Sequence, residues 1–179
     1  MKETFDSTSF RETASRLPEA IATTDAKGRI LWTNRGFKSL CGYPLREIKG
    51  KKPGDFLQGP NTDPRTVEMM REALRRRQYF KTEIINYHKK GNAYWAEISV
   101  TPCFDGEGNL EGYVSVARDI TRKQIKLMQM EQDLVSMYSA LIKECAEGSE
   151  NTSATESIMP QRSDPFMDRL RPREGVSNS

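Results

Sequence analysis

Two short runs rich in apolar and β-branched residues, 20–25 and 30–33, flank Ala26, Lys27, Gly28 and Arg29. Runs of this length around a glycine-bearing turn predict a β-hairpin. Asn34 follows at the N-cap place of a short helix over 35–40, where its side-chain oxygen can accept a free backbone N–H. Gly42 stops that helix. From 43 to 59 the chain is broken by Pro44, Gly50, Pro53, Gly54 and Gly59, so only short helical pieces fit there. Asp63 and Pro64 then open a longer helix, with Asp as cap and Pro in the first turn. Val67, Met70 and Leu74 give it an apolar stripe at helical spacing, and it runs to about Gln78.

Three strands follow, over 80–87, 93–102 and 110–119. Turn chemistry at 88–92 and 105–109 separates them. In the middle strand Tyr94, Ala96, Ile98 and Val100 fall on one face, and Trp95, Glu97, Ser99 and Thr101 on the other. Two strands, several short helices, one longer helix and a three-stranded meander make an α+β order, a five-stranded antiparallel sheet with helices on one face. Beyond Ile120 the period changes. Leu127, Met130, Leu134, Met137 and Leu141 recur at alternating steps of three and four, the pattern of a coiled-coil seam over roughly three to four heptads. Lys123 falls on that seam and weakens its start. The same stripe also allows a helix folded back on its own sheet. The expected organisation is a leader or cap over 1–17, a packed domain over 18–121, a dimerisation helix over 122–147, and a disordered tail over 148–179, where Ser, Thr, Asn, Glu, Pro and Arg dominate.

Composition narrows the function classes. The net charge of +3 is too weak to imply nucleic acid, and the basic residues are interleaved with acids. Cys41, Cys103 and Cys145 are odd in number and widely spaced, which argues against a disulfide framework and against a zinc site. Reduced thiols, the lack of an apolar signal segment and the lack of any membrane-length apolar run predict a cytoplasmic protein without membrane attachment. His88 is the single histidine and falls in a turn, where a solvated residue is expected rather than a metal ligand. No nucleophile-base pair and no acid pair at metal-site spacing can be assembled, so no catalytic residue, no metal site and no enzyme activity are expected. Arg75, Arg76 and Arg77 lie near a helix C-terminus, where cations suit the dipole.

Several phrases carry a resemblance. Residues 18–122 resemble a PAS domain, and in flavour the light-oxygen-voltage (LOV) subgroup. Residues 56–63 (FLQGPNTD) and 86–91 (NYHKKG) match that group's phrases. Tyr94-Trp95 and Thr101-Pro102 fall where its aromatic-Trp and Thr-Pro pairs do. Asp119, Ile120 and Thr121 are similar to the end of a PAS sheet and the start of a signalling helix. The resemblance implies cofactor-contacting positions at Gln58, Arg71, Asn86 and Trp95. Redox-sensing, FAD-binding PAS domains are similar too, and they imply one at Asn34. The family's photoactive Asn-Cys-Arg is replaced by Pro53, Gly54 and Asp55, so LOV-type cysteine photochemistry is not expected. Ala96 and Ala117 stand where two further ring-contacting amides would be, and Asp55 sets a negative charge where a phosphate-binding arginine is expected.

What the resemblance implies is therefore a cytoplasmic sensory or regulatory module. It would relay a ligand or redox signal through a homodimer built on the 122–147 helix, to a signalling partner in trans. FAD or FMN as cofactor, another small ligand, and a ligand-free interaction module stay open. Haem is not expected, because residues 63–78 hold no histidine.

Overall fold

The structure is a computed structural model that describes residues 7–147. The expected tail over 148–179 and the first six residues of the leader lie outside the described residues. The chain forms two compact units that divide after Ile120. The first holds helix α1 (Ser7–Arg16), strands β1 (Ala20–Asp25) and β2 (Ile30–Thr33), and helices α2 (Arg35–Cys41), α3 (Leu45–Ile48), α4 (Gly54–Leu57) and α5 (Pro64–Arg75). Strands β3 (Phe80–Tyr87), β4 (Ala93–Phe104) and β5 (Leu110–Asp119) complete it. The second unit, as far as it is described, is helix α6 (Thr121–Glu147).

The five strands make one antiparallel sheet in the order β2-β1-β5-β4-β3. β1 therefore lies between its hairpin partner and the last strand, with Ile21 opposite Val116. That long-range pairing joins the two halves of the chain into one sheet. β4 runs two residues beyond its expected end, because pairing with β5 continues to Phe104 opposite Leu110. The inner face carries three buried clusters. Ala20, Ile30, Phe37, Cys41, Ile48 and Leu57 join the first hairpin to α2, α3 and α4. Val67 of α5 meets Ile84, Tyr94 and Ala96, and Phe80, Val100 and Tyr113 close the far end.

Helix ends follow local chemistry. Asp63 caps α5 through bonds accepted from the backbone N–H of Arg65 and Thr66. The helix stops at Arg75, three residues short of expectation. Arg77 takes a left-handed φ of 54° and Gln78 N–H bonds Ala73 O, a Schellman-type exit that turns the chain into β3. Arg75 and Arg76 pair with Glu68 and Glu72 on the exposed face, so these arginines serve ion pairs as well as the helix end.

Asn34 holds the corner where α1, β1 and α2 meet. Its Oδ1 accepts from Ile21 N–H and Phe37 N–H, both at 2.9 Å. Its Nδ2 donates to Ala14 O at 2.9 Å, Leu17 O at 3.3 Å and Glu19 O at 2.8 Å. The helix cap read from the sequence is thus accompanied by further bonds from the same amide that fasten α1 to the sheet, and α1 belongs to the first unit. Gly36 permits this approach, since a Cβ there would stand 2.3 Å from Glu19 O. No helix among the described residues is long and apolar enough to cross a membrane.

Asn34→Ala leaves two N–H groups and three carbonyls of this corner without their partner. It is expected to cost about 2–4 kcal/mol of unfolding free energy in urea titration. Loss of less than about 1 kcal/mol would show that water replaces the amide at no penalty.

Candidate functional site

The inner face of the sheet and the helices above it enclose a cavity of about 430 Å³. That size lies within the usual range for small-molecule sites, roughly 300–1,000 Å³. α5 contributes Val67, Met70 and Leu74, α2 contributes Phe37, Leu40 and Cys41, and the sheet contributes Phe80, Ile98 and Val100. These walls are apolar. Polar groups enter at a few points, chiefly Asn86 and Tyr94, which stand directly opposite each other on β3 and β4, and Gln58 after α4.

Asn86 is buried, and its side chain hydrogen-bonds the Tyr94 hydroxyl. Burial pushes the Tyr94 hydroxyl far above its ordinary titration range, so it stays protonated at any physiological pH. Cys41 is 1% exposed, donates its S–H to Phe37 O at 3.1 Å, and has its thiol pKa raised by burial. It is a neutral wall group rather than a nucleophile.

The mouth is charged. Lys27 from the β1–β2 turn, Lys52, Asp55 and Arg71 stand around it, all exposed. Arg71 is paired with Glu68 at 3.5 Å, so three cations and two acids give 3 − 2 = +1. Asp55 accepts a hydrogen bond from Lys52 N–H at 3.2 Å and so braces the turn before α4. The expected repulsion between Asp55 and an anionic ligand is therefore set against two lysines and an Arg71 that it would share with Glu68. Gly54 presents bare backbone to the cavity. A Cβ there would lie 3.1 Å from Gln58 Nε2, so the Gln58 amide occupies the space beside the place where a LOV cysteine is expected.

Of the residues expected to touch a cofactor, Gln58, Arg71 and Asn86 line the cavity. Asn34 and Trp95 do not. Asn34 has both ends of its amide committed to backbone groups. Trp95 is next to Tyr94 on β4, and side chains alternate between faces, so the residue beside a cavity-facing tyrosine faces away. Lys27, Lys52 and Cys41 were not among the expected residues. The lysines sit in turns, where sequence patterning carries no signal for a shared mouth.

His88 lies in the turn expected of it and is half-buried. Its ring packs on Gly42, where a Cβ would come within 2.4 Å of Nε2, and its Nδ1 accepts from Lys90 N–H at 3.1 Å. Lys89 N–H bonds Cys41 O at 2.9 Å, and its ammonium pairs with Glu47. The β3–β4 turn is thereby latched over the end of α2, and the latch fixes the backbone of a cavity-wall residue.

A five-stranded antiparallel sheet with short helices on one face and a cavity between them is the architecture of a sensory or regulatory domain. The family model described as "PAS domain" matches residues 18–122, and the chain belongs to that family. Its relatives are of the LOV type. A blue-light-activated histidine kinase of Brucella anthropi is 38% identical over 104 residues, which are 58% of this chain and 21% of the relative. The corresponding protein of Brucella canis is 33% identical over the same length. The chain thus spans about a fifth of the curated relatives it matches. Among solved structures, the light state of the blue-light photoreceptor Aureochrome1 LOV is 30% identical with a TM-score of 0.57, covering 71% of this chain and 98% of that one. A light-oxygen-voltage domain whose mechanism was probed with a flavin analogue is 29% identical with a TM-score of 0.60, covering 70% of this chain and 94% of that one.

The three thiols should differ in reactivity. In native protein, a water-soluble disulfide reagent is expected to modify exposed Cys145 and partly exposed Cys103, with Cys41 reacting only after denaturation. Rapid native modification of Cys41, located by peptide mass, would contradict the closed wall described above.

Proposed function

We propose that this chain is a cytoplasmic PAS sensory module in which occupancy of the inner cavity, or the redox state of what occupies it, is the signal. The observation that carries the reading is the cavity itself. It is apolar along its length, holds the amides of Asn86 and Gln58 in its wall, and has three cations at its mouth. FMN or FAD is the first ligand to test. A flavin fits in outline: Asn86 and Gln58 would meet polar ring edges, while Arg71, Lys27 and Lys52 would meet the phosphate. When bound, the flavin supplies reversible electron uptake. The chain's own residues bind and shelter it, and Gly54 offers no thiol to its ring.

Signal output is proposed to pass through α6. β5 ends at Asp119 and runs on through Ile120, whose N–H bonds Trp95 O at 2.9 Å, into the first turn of that helix. Leu127, Met130, Leu134, Met137 and Leu141 are 43–60% exposed, a stripe suited to pairing with a second copy and thereby to passing the signal to a partner in trans. A ligand shifts such a module only by binding its two states with different affinity.

Titration of the purified protein with FMN and with FAD, followed by flavin fluorescence, tests the reading. Saturable binding is expected, weakened about tenfold by Arg71→Ala through loss of a phosphate contact. It should be abolished by Val67→Trp, which fills the cavity. Illumination should leave the visible flavin band unbleached by any cysteine adduct. If native mass spectrometry finds no bound small molecule and neither flavin binds, the cavity is not a ligand site and the sensory reading fails.

A further inference from the structure

A second concavity opens beside the first. It is an open groove of about 460 Å³ at the end of the sheet where the β1–β2 and β4–β5 turns meet the exit of α5. Leu74 and Tyr113 line both the groove and the inner cavity. The Tyr113 hydroxyl donates to Leu74 O at 3.0 Å, so this bonded pair is the wall between them. Ala26 lines the groove, and the next two residues, Lys27 and Gly28, line the cavity. The β1–β2 turn is therefore a lip common to both. A ligand that leaves the cavity over this lip enters the groove.

The groove has an apolar side and a cationic side. Leu74, Leu110 and Tyr113 make the first. Such a surface suits the face of a planar base. Arg75 and Arg77 make the second, and they differ. Arg75 is held by Glu68 and Glu72. Arg77 is exposed and pairs with no acid among the described residues. Its charge reaches Tyr113, where it opposes the upward shift that burial gives the hydroxyl. Its φ of 54° is one that glycine adopts more readily, so the arginine stands there against the backbone's preference.

Charge then separates one phosphate from two. A terminal phosphate monoester carries close to two negative charges at neutral pH, and the mouth of the cavity offers a net +1. In a diphosphate that joins two nucleosides, each phosphate carries a single charge. One of these matches the mouth, and the other matches Arg77. Resting on the reading of the cavity as a flavin site, we infer that the groove takes the adenosine half of a flavin dinucleotide, so that this chain selects FAD over FMN. The flavin ring lies in the inner cavity, and the diphosphate crosses the β1–β2 lip beside Lys27. The second phosphate meets Arg77, and the adenine packs on Leu110 and Tyr113. Arg77 and Leu110 are then specificity residues that a mononucleotide never reaches.

Equilibrium dialysis of the full chain against FAD and against FMN, read by flavin absorbance, tests this selection. FAD is expected to bind about tenfold more tightly than FMN. Arg77→Gly removes the guanidinium and relieves the left-handed backbone, so it keeps the fold. It should weaken FAD about tenfold and leave FMN within about twofold of the parent. Ala26→Trp, at an exposed turn position, fills the groove and should give the same split. Equal affinity of the parent for the two flavins would overturn the inference and leave the cavity standing as a flavin site. The same holds if the variants weaken both flavins alike or weaken neither. If neither flavin binds the parent, the flavin reading of the cavity falls and the inference falls with it.

Discussion

The amide of Asn34 is the constraint on which the first unit depends. β1 can reach the centre of the sheet, between β2 and β5, only if the chain before it and the helix after the hairpin are brought to one corner. That convergence buries backbone donors from Ile21 and Phe37 and carbonyls from Ala14, Leu17 and Glu19. A single planar amide offers acceptor and donor at opposite ends and satisfies both sets. Aspartate lacks the donor and serine lacks the reach. With the corner tied, α2 stands over the sheet, and Phe37 and Cys41 become one wall of the cavity. The shape of the cavity and the stability of the fold thus share one residue, whose side-chain amide bonds only backbone.

This linkage explains where sequence reading succeeded and where it stopped. The alternation along β3, β4 and β5 and the breakers between 43 and 59 carry the whole sheet and the short helices, because they encode local conformation. Asn34 was legible as a helix cap for the same reason. Its assignment to a cofactor came from resemblance alone, and the structure puts it in the scaffold. Trp95 illustrates the same point. Strand alternation already set it opposite Tyr94, and the face it occupies follows that alternation rather than the resemblance. The mouth of the cavity was the part not legible. Arg71 and Asp55 were expected there from the resemblance, but Lys27 and Lys52, 25 positions apart (52 − 27), carry no such signal, and only tertiary packing brings them to one opening.

The contrast between cavity and mouth bears on what the site could bind. LOV-type relatives support a flavin, yet Ala117 lines this cavity where the resemblance leads one to expect an amide, and Ala96 is buried beside it. A ring with many polar edges would find fewer partners here, and each unmet buried group costs about 1–3 kcal/mol. The positive mouth works in the other direction, since it attracts an anionic tail and is sensitive to salt because its charges are exposed. Binding would therefore rest on apolar enclosure and on the tail more than on ring-edge hydrogen bonds. Such a site holds its ligand less selectively than one with a full set of amides.

The helix that follows the sheet obeys a different logic. Within the first unit almost every buried polar group is matched inside the unit, so its sequence is consistent with its structure level by level. α6 breaks that consistency by exposing an apolar stripe. A conflict that persists in an otherwise consistent chain is expected where a partner resolves it.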